Sequence, residues 1–509
     1  MASEIKTGAI LNYVSIVVRL ATSFLLTPFV IATLGVEEYG LFMLSGSVIA
    51  WLALTDLGLG ATVSKYVVTY RAKGEHEQQA HFLGQSMMLF CLIALVTLSA
   101  GGVCFYHLDA LFPKLDAGQH ETLEILFLLT LGNMILAIPL RPLGCVPGAY
   151  QKFVVPGIVS LCCSLLNTGL TVALLLLGFK TIGLTVLAVG MGILNLLWGM
   201  FYTLHILKAN VKFSKPDWLL YRGMFGFSVW IFLNQIMDLF YWQSGSPILA
   251  NVCGTVAVSV FTLGISFSNY FMTASTAISG VLAPKLMHMV ALDASKEDLT
   301  NVMIRAGRLQ LFLLSSILLG FVFLGQDFLR LWVGKSMGEN VTTVWLGAML
   351  VIVPLIIPLT QNTGMAILQA LSIHRGRAII LFYSSLVCVI LGYILSSFFG
   401  PIGMFIGTAV SLTFGQVIMI NLYYKRKAGL LIGTFFCRTY LPMLLPAVFL
   451  SVCGCVISHF WQVDCWTDLF TAIAIYGIML FATLFSFYLN REEREMFLAP
   501  LKKILRIHS

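Results

Sequence analysis

Stretches of about twenty apolar residues, the length a membrane helix needs, recur along the whole chain and restrict its fold more than any other feature. Fourteen such windows lie near residues 9–33, 41–63, 82–106, 122–147, 155–178, 182–204, 223–246, 254–283, 306–326, 343–369, 379–398, 401–423, 437–459 and 467–489. The boundary near Pro247 is the least defined. The pattern predicts an all-α polytopic membrane protein with about fourteen transmembrane helices. Charge content agrees: 10% of residues are charged, against about 25% in a soluble domain. The first window is too long for the apolar core of a signal peptide and lacks a small-residue cleavage site, so it is expected to stay as an anchor.

Lys and Arg set the orientation. Of the 30, 24 fall on the side that holds the N-terminus, four on the other side (Lys114, Lys180, Arg330 and Lys335), and Arg19 and Arg141 lie within windows. Basic residues favour the cytoplasmic face, so both termini are expected in the cytoplasm. The net charge of +8 is scattered among short loops, which speaks against a nucleic-acid partner. In the tail 491–509, Phe497, Leu501, Ile504 and Leu505 share one helical face. That pattern suits a short helix on the inner leaflet or an ordinary solvated tail.

Cys91, Cys162, Cys163 and Cys388 sit inside apolar windows, where cysteine behaves as a small hydrophobe. Cys453 and Cys455, two apart, do not share a helix face. The histidines do not cluster. No metal site, disulfide framework or cofactor is expected.

The first hairpin, Gly8 to Lys73, holds two apolar spans joined by a Gly35–Gly40 turn, with Arg19 in the first and Asp56 in mid-span in the second. A charge at mid-membrane costs about 2.5–3.5 kcal/mol on insertion scales, which makes each a functional candidate. The hairpin recurs. A shift of 219 carries Pro28 to Pro247, Gly35 to Gly254, Phe42 to Phe261, and Ile138-Pro139-Leu140 to Ile357-Pro358-Leu359. The repeat unit contains six spans, an even number, so both copies keep one orientation and are related by an axis along the membrane normal. The expected domains are two six-helix lobes, 1–215 and 216–428, followed by two helices and a tail in 429–509.

The same shift sets Arg19 opposite Asp238. Arg19 is about 16 Å along the helix from Gly8 at 1.5 Å per residue, too deep for easy snorkelling. Both charges are expected to line an interior cavity or to pair across it.

The stretch TPFVIATLGVEEYGLFMLSGSVIAWLALTDLGLGATVSKYVVTYRAKG resembles the oligosaccharide flippases of the polysaccharide transporter family, most closely the O-antigen (Wzx-type) group. The Leu34-Gly35 turn, the Tyr39-Gly40 pair and the run Asp56-Leu57-Gly58-Leu59-Gly60 carry it. The resemblance is strongest over the first 75 residues. It implies membership of the superfamily that also holds multidrug exporters and lipid II flippases (MATE/MOP-like), with two lobes around a central cavity. It further implies flipping of an undecaprenyl-pyrophosphate-linked oligosaccharide across a bacterial inner membrane by alternating access, coupled to an H+ or Na+ gradient or to the membrane potential. Polysaccharide polymerase and assembly proteins are the partners it implies. The family transfers no fixed catalytic residues, so the site residues are read from this chain.

Arg19 suits a pyrophosphate or sugar acid, because a guanidinium offers bidentate donors; the structural alternative is a pair with Asp238 or Asp56. Asp238 reads as an ion-coupling carboxylate or as a neutralising partner, on a helix made polar by Asn234, Gln235 and Gln243. Asp56, just before Gly58 and Gly60, points to a hinge. Arg141, between Pro139 and Pro142, could collect phosphates at the inner entrance or snorkel to the interface. Its counterpart Thr360, followed by Gln361 and Asn362, offers hydrogen bonds instead of charge, and Asn269 and Tyr270 are candidates for sugar contact. Two other functions were weighed. A cation-coupled drug exporter should show acidic residues prevailing, whereas this chain puts two arginines in its first lobe. A membrane polymerase or glycosyltransferase should carry a large external loop or soluble domain with catalytic carboxylates, and neither is present.

Overall fold

The structure, a computed structural model, describes residues 2–371 and 373–495. The amphipathic pattern on Phe497, Leu501, Ile504 and Leu505 lies outside the described residues. Among the described residues there is no strand. Thirteen helices are long and apolar enough to cross a membrane, and a fourteenth combines Trp218–Gly226 and Ile231–Trp242, bent by 49°. Packing divides the chain into two compact units, 1–262 and 263–509.

In the first unit, α1 (Ala2–Leu34) and α2 (Val36–Leu52) are separated by Gly35 alone, at φ 85°. A side chain at positive φ is strained and glycine is not, so one residue reverses the chain. The expected Gly35–Gly40 turn is thus shorter than the sequence spacing suggested. Gly40 lies buried inside α2, where an added Cβ would sit 2.0 Å from the Thr255 carbonyl oxygen. Its role is close packing.

After α2 the span tightens into a 3-10 turn, Ala53–Asp56. It then breaks at Leu57 (φ 52°) and Gly58 (φ 73°) before α3 (Leu59–Lys73). Next come α4 (His76–Tyr106) and α5 (Ala117–Ala137), the latter opened by a capping box between Asp116 and Gln119. The α5 span loses regularity where Pro139, Pro142 and Pro147 cannot donate a backbone N–H. It continues as a 3-10 turn, Ile138–Leu140, and two single turns, Arg141–Gly144 and Val146–Ala149. Below these breaks Leu59, Val63, Phe82, Phe90, Ile138 and Met224 form a buried core.

Helices α6 (Val154–Leu176), α7 (Thr181–Phe201) and α8 (Trp218–Trp242) follow. The ill-defined boundary at Pro247 resolves into α9 (Gly245–Val252), which follows α8 after Gln243 and Ser244. Gly254, at φ 87°, then turns the chain into α10 (Thr255–Ala291). Gly254 is the repeat partner of Gly35, and the two share a positive φ, 87° and 85°. The packing boundary falls inside α10, beyond the 215/216 division expected from the repeat.

The second unit continues with α11 (Lys296–Met337), α12 (Asn340–Thr360) and α13 (Asn362–Ala370). The break between α12 and α13 at Gln361 directly follows Ile357-Pro358-Leu359. In the first unit the break falls on Ile138-Pro139-Leu140 itself, so the irregularity recurs along with the sequence. Helices α14 (His374–Phe399), α15 (Pro401–Leu412), α16 (Leu441–Phe460) and α17 (Trp466–Phe487) complete the unit. Leu311, Met443, Leu450, Leu480, Leu484 and Tyr488 pack between α11, α16 and α17.

Candidate functional site

The breaks in the α2 and α5 spans are pinned to each other. Arg141 Nη1 donates to Asp56 Oδ2 at 2.5 Å. Asp56 Oδ1 accepts the Gly58 backbone N–H at 2.7 Å. The carboxylate therefore caps the break in its own span and grips the other. Gly58 also admits close contact: an added Cβ would meet Ile231 and the Phe232 nitrogen at 3.0 Å. The Asp56 side chain is 9% exposed and that of Arg141 is 36% exposed.

Two expectations change here. Asp56 is not in mid-span: it is the last residue of the membrane-length run Val36–Asp56. Twenty residues at 1.5 Å bring it about 30 Å from Val36 at the start of α2, the thickness of a typical hydrocarbon core. The partner of Asp56 is Arg141, not Arg19, because the broken α5 span brings Arg141 to the open end of the 3-10 turn.

Arg19 is exposed on α1. It lies fifteen residues before Leu34, about 22 Å along α1 from the Gly35 turn. Among the described residues no carboxylate forms an ion pair with it, so pairing with Asp238 or Asp56 is not observed. Asp238 is exposed on α8. Near it, Gln243 accepts a hydrogen bond from Ser47 Oγ at 3.3 Å, and Trp51 packs on Phe240 with centroids 5.3 Å apart.

The second-unit candidates separate. Asn269 is exposed on α10, while Tyr270 is half-buried and meets Phe267 edge-on at 5.9 Å. Gln361, only 2% exposed, donates to Asn421 Oδ1 at 2.8 Å, so its amide N–H is engaged inside the unit. Asn362 Nδ2 donates to Ser275 Oγ at 3.0 Å, and Ser275 Oγ donates to the Leu359 carbonyl at 2.8 Å. Gln310, fully buried, donates to the same Ser275 oxygen at 3.0 Å. Thr360 shares a 2.6 Å hydrogen bond with the Tyr440 hydroxyl.

One charged constellation has no signature in the sequence. Arg308 on α11 and Glu493 beyond α17 form a bidentate pair at 2.7 and 3.0 Å, with side chains 6% and 5% exposed. Arg308 also donates to the Arg438 carbonyl at 2.9 Å and to the Tyr488 carbonyl, and it lies 4.5 Å from the Tyr488 ring centroid. In the sequence Arg308 counts only among the basic residues on the side of the N-terminus, and nothing there links it to Glu493. Beside the Gly35 turn, Glu38 accepts from Lys180 at 2.7 Å and from Thr181 at 2.8 Å. That carboxylate holds the Lys180 ammonium above its usual range. Among the described residues no group of three His, Cys, Asp or Glu could hold a metal ion.

No protein-family model matches the chain. It is 23% identical to the uncharacterized membrane protein EpsK of Bacillus subtilis, over 97% of both chains. It is 21% identical to the probable flippase AglR of Haloferax volcanii, over 82% of this chain and 83% of that one. Among solved structures, the lipid II flippase MurJ in an inward closed conformation superposes with a TM-score of 0.68 at 15% identity, covering 97% of this chain and 99% of its own. An inward-facing MATE transporter of the MOP superfamily gives 0.62 at 14% identity, over 82% and 98%. The chain has the fold of the MOP-superfamily transporters.

Proposed function

We propose that the chain is a flippase that moves an undecaprenyl-pyrophosphate-linked oligosaccharide, an O-antigen or similar surface-polysaccharide repeat unit, across the bacterial inner membrane by alternating access. The observation that carries this reading is the pair of arginines within the apolar spans of the first unit. Arg19 is exposed with no ion-pair partner among the described residues, and Arg141 is part-exposed beside Asp56. A guanidinium within an apolar span, as at Arg19, is costly to keep, and a guanidinium suits a phosphate-bearing substrate. The names of two relatives, one by sequence and one by fold, point the same way: a probable flippase and a lipid II flippase. Both termini would be cytoplasmic, with energy from an H+ or Na+ gradient or the membrane potential. Asp238 is the carboxylate best placed to couple an ion, and polymerase and assembly proteins would use the product.

The likeness to a MATE transporter favours a second reading, a cation-coupled exporter of small molecules. Deleting the protein from its host separates the two. A flippase predicts that one completed undecaprenyl-linked repeat unit accumulates, seen by mass spectrometry, while surface polymer is lost. Unchanged glycan with new sensitivity to cationic drugs would replace the flippase by the exporter.

A further inference from the structure

We infer that Asp56 and Arg141 form an anion site for a phosphate or pyrophosphate group, in which Arg141 binds the anion and Asp56 is its resting partner, which the anion displaces. Only the source of that group, the head of a lipid-linked substrate, is taken from the flippase reading.

The internal repeat supplies a control. A shift of 219 carries Asp56 onto Ser275 and Ile138-Pro139-Leu140 onto Ile357-Pro358-Leu359. In the second unit Ser275 Oγ donates to the Leu359 carbonyl and accepts from Asn362 Nδ2. In the first unit Asp56 accepts from Arg141. Arg141 itself aligns with Thr360, and Asn362 lies two positions on. Each half thus ties the same two spans at the same place, beside the break that accompanies Ile-Pro-Leu. The second half does so with neutral groups, so a tether at this point does not require charge.

Charge in the first half adds a burden. Asp56 is 6% exposed, and taking a carboxylate out of water is only partly offset by pairing. What charge adds in return is a guanidinium with capacity to spare. Arg has five N–H donors. Among the described residues one of them, on Nη1, is engaged by a side chain, and the Arg141 side chain remains 36% exposed. Its unengaged edge can present parallel donors to a phosphate. Asp56 is fixed from behind by the Gly58 N–H at 2.7 Å, so it occupies the arginine until an anion competes it away.

The test is pyrophosphate binding by titration calorimetry, on the full-length protein in nanodiscs, with inorganic pyrophosphate and a prenyl pyrophosphate as separate probes. The double variant Asp56→Ser/Arg141→Asn copies the neutral chemistry of the second half. It is expected to melt close to wild type and to bind pyrophosphate about tenfold to a hundredfold more weakly, the range for losing a charged hydrogen-bonding partner. Asp56→Ser alone removes the competitor and is expected to bind more tightly than wild type, a sign that a purely structural pair would not give. Dependence seen only with the prenyl probe identifies a lipid headgroup as the ligand; dependence seen with both identifies the phosphate chemistry shared by free and lipid-linked forms. No binding to wild type, unchanged affinity in the folded double variant, or weaker binding by Asp56→Ser overturns the site. Arg141-dependent binding in a protein that moves no lipid-linked glycan would sink the flippase reading and leave the anion site standing.

Discussion

At the scale of single residues, glycines and charges act in opposite ways. Gly35 and Gly254 reverse the chain because only glycine adopts φ near 85° without strain. Gly40 works by lacking a side chain, with the Thr255 carbonyl oxygen occupying the place of a Cβ. Gly40→Val should overpack this contact, costing about 1–3 kcal/mol, visible as a lower melting temperature in detergent; an unchanged melt would show that the contact yields. Arg19 carries a prediction of another kind. Arg19→Ala should reduce glycan export at least about tenfold, the value of one charged hydrogen bond, with normal protein levels in the membrane. Arg19→Lys should retain part of the activity, since the charge survives without the bidentate geometry. Normal surface glycan in Arg19→Ala at native protein level would remove Arg19 from the substrate path.

At the scale of elements, helix breaks and ion pairs hold the units in shape. The Arg308–Glu493 pair ties the end of the α17 segment to α11 in a place closed to water. Removing one member strands a buried charge, so Glu493→Gln should destabilise by about 3–5 kcal/mol. Replacing both partners, as in Arg308→Met/Glu493→Leu, should recover most of that loss. Thermal unfolding of the three proteins decides it: a double variant as unstable as the single one would mean that the pair itself, not the stranded charge, provides the stability. Elements were unevenly legible in the sequence. The breaks were signalled by Pro139, Pro142 and Gly58, whose backbone chemistry is local. Ion pairs were not, because Asp56 and Arg141 are 85 positions apart and Arg308 and Glu493 are 185 apart. No periodicity links such residues until the helices pack.

At the scale of the whole molecule, apolar windows and a constant offset of 219 were enough to anticipate the fourteen-span plan, since span length and repeat spacing are properties of the chain itself. The candidate site was legible only in part. Residue types pointed to Arg19, Arg141, Asp56 and Asp238, but the partner of each depends on how broken spans meet, and Gln361 proved to be engaged inside its own unit. The repeat nonetheless shows where the halves differ: Arg19 against Asp238, and an ion pair against a serine and an amide. A transporter for a phosphate-linked substrate would place its cationic groups on one half in this way. Movement of a pyrophosphate-linked oligosaccharide across the bilayer of proteoliposomes holding the purified protein is the measurement that bears most directly on the central claim. The account predicts protein-dependent appearance of the glycan on the opposite leaflet, lost in Arg19→Ala and in Asp56→Ser/Arg141→Asn. Equal movement in protein-free liposomes, or full activity in both variants, would contradict it.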